Sequence, residues 1–137
     1  MGLLEGIMRV LGSIINGYDN NVSSKRGSVN QGEMILCQRL EEVFKTEYPD
    51  CEFRTNISAS EIEITTIATD YSYGLYRNGT PIAFINVIKN RNDYRRLKYR
   101  EAKAIAIRHG IPHMNFFTHL PNEVEYISQR LKNEIFG

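Results

Sequence analysis

The chain has no tryptophan, only two cysteines and four prolines in 137 residues, and a formal net charge of just +1. Two of these scarcities, in charge and in cysteine, exclude a class of protein. With so little net charge, no global field draws the molecule toward nucleic acid or an anionic surface. Cys37 and Cys51 lack the paired spacing of a metal site or a disulfide framework, and read as ordinary apolar positions in a reducing cytosol. No segment is long enough to span a bilayer. The first fifteen residues are apolar, but Glu5 and Arg9 interrupt them and no basic stretch precedes them, so a secretory leader is not expected. Gly6 stands where an N-myristoylation signal needs Ser or Thr. There is no phosphate-cradling glycine loop, no nucleophile motif, no internal repeat and no low-complexity run. What remains is a cytoplasmic chain without a membrane role. Its 42% hydrophobic content is enough for one core.

The apolar residues are distributed with clear periods. Leu3, Leu4, Ile7, Met8, Leu11, Ile14 and Ile15 recur every three or four positions, as on an amphipathic helix. Its polar face carries too few cations for anionic lipid, which favours protein contact, either in cis or across a homo-oligomer. A polar linker follows to about residue 30, so the expected organisation is helix and linker over 1–30 and a main domain over 31–137. In that domain Ser28 or Asn30 can cap a helix running to about Glu47. A strand is expected over Cys51–Ser58. Residues 61–69 form either a strand extension or an irregular approach to Asp70. A hairpin over Tyr71–Lys89, a helix over Asp93–His109, a strand over His113–Thr118 and a last helix over Glu123–Ile135 complete an αβββαβα order. That order describes an α/β domain, one mixed sheet flanked by helices.

The hairpin segment, DYSYGLYRNGTPIAFINVIK over 70–89, carries the most information. Asn78-Gly79 between two β-rich runs is the strongest short-range hairpin signal. The strand after it is apolar on both faces except at Asn86, the pattern of a strand covered by helices on both sides. A buried Asn without partners costs about 1–3 kcal/mol. Asn86 therefore either has local partners or marks a site. An acid opening one strand and polar residues near the end of its hairpin partner form the arrangement by which some folds build a metal-dependent phosphodiester site.

On these residues the chain, from about Gln31 onward, resembles the PD-(D/E)XK nuclease superfamily, which includes restriction and Holliday-junction nucleases. The resemblance implies a restriction-endonuclease-like fold and a Mg²⁺-dependent site. Glu33 looks like that family's helix glutamate and Asp70 like its metal-binding aspartate. The third motif departs from the pattern, reading Asn86-Val87-Ile88-Lys89 where Glu-x-Lys is expected. If the site is active, Asp70, Asn86, Lys89 and Glu33 are its catalytic set, with Asp70 and Asn86 holding the metal. Two objections stand against activity. An amide oxygen brings no charge to a cation that prefers hard anionic oxygens. On a strand, Asn86 and Lys89 point to opposite faces unless a bulge at Val87-Ile88 intervenes. Glu61 or Glu63 is an alternative source of the missing carboxylate.

Charge is segregated in spite of the neutral total. Residues 89–108 hold eight basic side chains against two acidic ones, a local net charge of +6. Arg96, Arg100 and Lys103 fall at i, i+4 and i+7, a stripe able to neutralise successive phosphates. Tyr94, Leu97, Ala104 and Ile105 form the expected apolar side. By resemblance this helix borders the substrate groove, and the partner is nucleic acid, DNA ahead of RNA. His109, His113 and His119 straddle a Gly-Pro break and read as structural. The expected function is binding or cleavage of nucleic acid phosphodiesters with catalysis weakened or lost. The alternative is an inactive assembly module of the same fold.

Overall fold

The computed structural model describes the backbone of residues 24–136 and the side chains of residues 31–136. The amphipathic repeat of residues 3–15, with the oligomer contact inferred from it, lies outside them. Two compact units divide within the first helix, between Met34 and Ile35. The sheet and its packing belong to the second unit.

Helix α1 covers Ser24–Glu47, starting earlier than a cap at Ser28 or Asn30 implies. Strand β1 (Glu52–Ile57) is followed by a single 3₁₀ turn at Ala59–Glu61, and the chain then runs irregularly to β2 (Tyr71–Arg77). The irregular alternative for 61–69 is thus the observed one. Asn78 and Gly79, with φ of 53° and 80°, close the hairpin from β2 to β3 (Thr80–Ile88). Both central residues have positive φ, the geometry that matches strand twist and that Asn-Gly supplies at least cost. Helix α2 spans Leu97–Arg108, with Asp93–Arg95 in a separate 3₁₀ turn. Gly110, at φ 71°, ends it before β4 (His113–Phe117), and α3 (Val124–Phe136) closes the chain.

The four strands lie in the order β1-β2-β3-β4. The first two pairings are antiparallel and β3 runs parallel to β4. Such a parallel pair requires a crossover, which α2 provides. Each face has its own core. Leu36, Leu40, Val43 and Phe44 of α1 and Ile127 and Leu131 of α3 cover Leu75, Ile85, Val87 and Phe116. On the opposite face, Ala102, Ile105 and Ala106 of α2 cover Ile57, Tyr71, Tyr76 and Phe84. Leu97 and Tyr94, expected on the buried side of α2, are exposed, because the helix begins after Tyr94 and turns its alanine face to the sheet.

Two irregularities matter for the site. Leu75 pairs with Ala83 and Tyr76 with Pro81, so Ile82 is the extra residue of a β-bulge. Tyr71 and Tyr73 have the same parity but opposite destinations. Tyr71 donates its hydroxyl to Ala102 O on α2 (2.6 Å), and Tyr73 donates to Glu41 on α1. The pleat is therefore broken at Ser72, whose Oγ accepts the Val87 N–H at 2.9 Å.

Candidate functional site

Antiparallel pairing sets the start of β2 beside the end of β3, and parallel pairing brings the end of β4 to the same place. Thr118 closes this end, its N–H donating to Ile88 O (3.0 Å) and its hydroxyl to Lys89 O (3.3 Å). Asp70, Lys89 and Thr118 thus meet outside the carboxyl ends of the parallel strands, where open α/β sheets bind ligands. Asp70 and Lys89 are both exposed.

Asn86 sits below that end, 2% exposed. Its Nδ2 donates to the main-chain carbonyl of Asp70 at 2.9 Å. A carbonyl only accepts, so this contact fixes the amide orientation and turns Oδ1 toward His113 Nε2, 2.7 Å away. Oδ1 in turn only accepts, so His113 carries its proton on Nε2. Burial, helped by the positive charge of Lys103, pushes the His113 pKa down to about 4, and the ring is neutral at pH 7. Its Nδ1 is buried without a hydrogen-bond partner among the described residues.

This network answers the question posed by a polar residue in an apolar strand: Asn86 has local partners. Both amide atoms of Asn86 are thus engaged, Oδ1 with His113 and Nδ2 with the Asp70 backbone, in a buried position. The contact from Asp70 to Asn86 runs through the aspartate's backbone, leaving one exposed carboxylate. Among the described residues, no group of three His, Cys, Asp or Glu side chains is placed to hold a metal ion. Mg²⁺ favours near-octahedral oxygen coordination anchored by carboxylates, and this donor set does not fit it.

No bulge turns Lys89 toward the Asn86 face. The bulge in β3 lies at Ile82, ahead of Asn86, and the β3–β4 register runs unbroken from Phe84 to Ile88. Without a bulge at Val87-Ile88, the residue sharing a face with Asn86 is Ile88, which is fully buried. Lys89 follows the strand. Glu33 is half-buried on α1 in the first compact unit, whereas Asp70, Asn86 and Lys89 belong to the second. Glu63 is held by Arg108 (2.7 Å) and His109 (3.1 Å), contacts that keep its carboxyl below the usual range. Glu61, in the 3₁₀ turn, is exposed.

The basic segment, by contrast, is open. Arg96, Arg100 and Lys103 are exposed, as are Lys89, Arg91, Arg95 and Lys98. Among the described residues, ion pairs engage only Arg96 and Arg108 of the arginines in this segment, through Asp93 at 3.6 Å and through Glu63 and Glu101 respectively. The cations begin in the loop after β3 and continue along α2, so the positive surface extends from the Asp70–Lys89 end of the sheet.

The chain matches no family model, no curated protein and no solved structure.

Beside the basic stripe lies a groove of about 340 Å³, lined by Arg91, Tyr94, Arg95, Phe117, His119 and Leu120. None of these stood out as a site residue in the sequence. Helical spacing puts Tyr94 on the buried side of α2, and the Gly-Pro break makes His119 read as structural. The available signal was the alternation of cations with an aromatic in Arg91-Asn92-Asp93-Tyr94-Arg95-Arg96, and only the parallel pairing of β3 with β4 brings Phe117 and His119 against it.

Proposed function

We propose that this protein binds nucleic acid through its phosphates, on a restriction-endonuclease-like core, without hydrolysing them. The αβββαβα order, the antiparallel β1-β2-β3 meander and the parallel β4 reached through α2 support that assignment of the core. The observation that carries the binding function is the row of exposed cations from Lys89 to Lys103, with Asp93 and Glu101 its only acids and both in ion pairs. Such a row neutralises phosphates and releases their counterions. Two features support binding without cleavage: Asn86 is buried and hydrogen-bonded to His113 and to the Asp70 backbone, and Ile88 places an apolar side chain on the same face.

Fluorescence anisotropy with labelled DNA tests the reading. Affinity should fall as salt rises, with a log–log slope of about −0.9 per phosphate neutralised on duplex. Changing both Arg100 and Lys103 to alanine should weaken binding and reduce the slope by up to about 2. No cleavage should appear with Mg²⁺ or Mn²⁺. Metal-dependent cleavage abolished by Asp70→Ala would overturn the inactive assignment. Failure to bind DNA or RNA at low salt would favour the assembly-module alternative.

A further inference from the structure

The groove beside the basic stripe has a chemistry that phosphate binding alone does not use. Three rings line it. Tyr94, 40% exposed, meets Phe117 edge-on, with centroids 5.6 Å apart and planes at 85°. Phe117 in turn lies 5.7 Å from the exposed His119 ring. The Arg95 guanidinium sits 5.7 Å from the Tyr94 centroid and donates through Nε to its hydroxyl at 3.4 Å. Arg91, Asn92 and Leu120, all exposed, also form the rim, and among the described residues no acid lines the groove.

We propose that this groove receives an unpaired nucleobase, so that the preferred partner is a single-stranded nucleic acid whose phosphates lie on Arg91, Arg95 and the α2 stripe. The inference rests on the nucleic-acid-binding function argued above and names its substrate form. A groove of about 340 Å³ is at the lower end of the roughly 300–1,000 Å³ range of small-ligand sites, a scale suited to one planar group. Aromatic faces flanked by cations bind single strands because every base offers a π-face, while the charges follow the backbone. In a duplex the bases are stacked on one another, and their faces cannot reach Tyr94. Charge selects the phosphate polymer; the rings select the unpaired form.

The test uses the full chain and labelled oligonucleotides of one length: oligo-dT, an abasic strand, and a duplex. Polyglutamate serves as an anionic polymer without bases. At low salt, oligo-dT should bind about tenfold more tightly than the abasic strand, the scale of one stacked base. Tyr94→Ala should remove that advantage and leave duplex and abasic affinities within about twofold, with the salt slope unchanged because no phosphate contact is lost. Tyr94→Phe, which keeps the ring, should retain it, and so separates stacking from damage to the fold. Equal affinity for dT and abasic strands, or a Tyr94→Ala loss shared by duplex and polyglutamate, would overturn the groove assignment while leaving phosphate binding intact. Absence of salt-sensitive binding to every nucleic acid would overturn both.

Discussion

The two faces of the sheet are closed by different physics. On the side of α1 and α3 the contacts are almost wholly apolar: Leu36, Leu40, Val43, Phe44, Ile127 and Leu131 against Leu75, Ile85, Val87, Met114 and Phe116. One buried polar group there is the Tyr73 hydroxyl, given to Glu41 and held in its neutral form by burial. On the other side the single helix α2 presents Ala102, Ile105 and Ala106. That face encloses Asn86 and His113, and the Tyr71 hydroxyl, whose pKa is raised to about 12. The first face is stabilised chiefly by volume filled, whereas the second adds to its apolar cluster a buried Asn86–His113 hydrogen bond. The lesson is that each should fail in its own way.

The largest effect is expected on the apolar face. Leu40 is fully buried, so Leu40→Ala should cost about 2–5 kcal/mol of unfolding free energy. Its cost should be the same at pH 7 and pH 5, since no titrating group is involved; urea titrations at the two pH values measure this. A strongly pH-dependent cost would erase the distinction between the faces.

Asn86→Leu should come next. It leaves the His113 N–H without an acceptor, for about 1–3 kcal/mol, and adding His113→Leu should cost less than the two changes summed, because the stranded group is then gone. Additivity in that double-mutant cycle would mean the Asn86–His113 hydrogen bond contributes little. Asn86→Glu, the substitution that restores a family-like acid, should lower stability without conferring Mg²⁺-dependent cleavage, since the site is closed and Ile88 lies beside it.

The pH response sharpens the contrast further. His113 is depressed from an ordinary value near 6.5 to about 4, so the unfolded chain binds the proton more readily. The stability that this neutral ring contributes is complete above about pH 6.5 and is lost as pH falls toward 4. Between pH 7 and pH 5 the loss should be on the order of 2 kcal/mol, and it should be absent in the Asn86→Leu, His113→Leu double variant. A wild-type chain equally stable at both pH values would show that His113 is not held neutral by the fold.

The smallest expected effect concerns Gly74, on the α2 face of the sheet. A Cβ there would lie 2.8 Å from Ile57 Cδ1 and from Tyr76 Cε1, and 3.0 Å from Phe84 Cε1. All three side chains are buried, so Gly74→Ala should cost roughly 1–2 kcal/mol, read as a lowered melting temperature. An unchanged melting temperature would mean that the face repacks freely.

Local chemistry alone determined most of the elements of this protein. Asn78-Gly79 set the hairpin, because few other residue pairs adopt positive φ twice in succession. The apolar run of β3 foretold a strand covered on both faces, and Gly110 ended α2. Asn86 was legible as an exception, with both of its possible meanings. Which meaning holds was a tertiary decision, because His113 lies 27 residues away and reaches Asn86 only through the parallel pairing of β3 with β4. Register decided the site in the same way. Strand alternation foresaw that Asn86 and Lys89 diverge without a bulge, but only the fold placed the bulge at Ile82, where it cannot bring them together. The cationic stripe was visible in sequence because helical spacing is local. The groove beside it was not, because Tyr94 and Phe117 become neighbours only when two segments separated in the chain end at the same edge of the sheet.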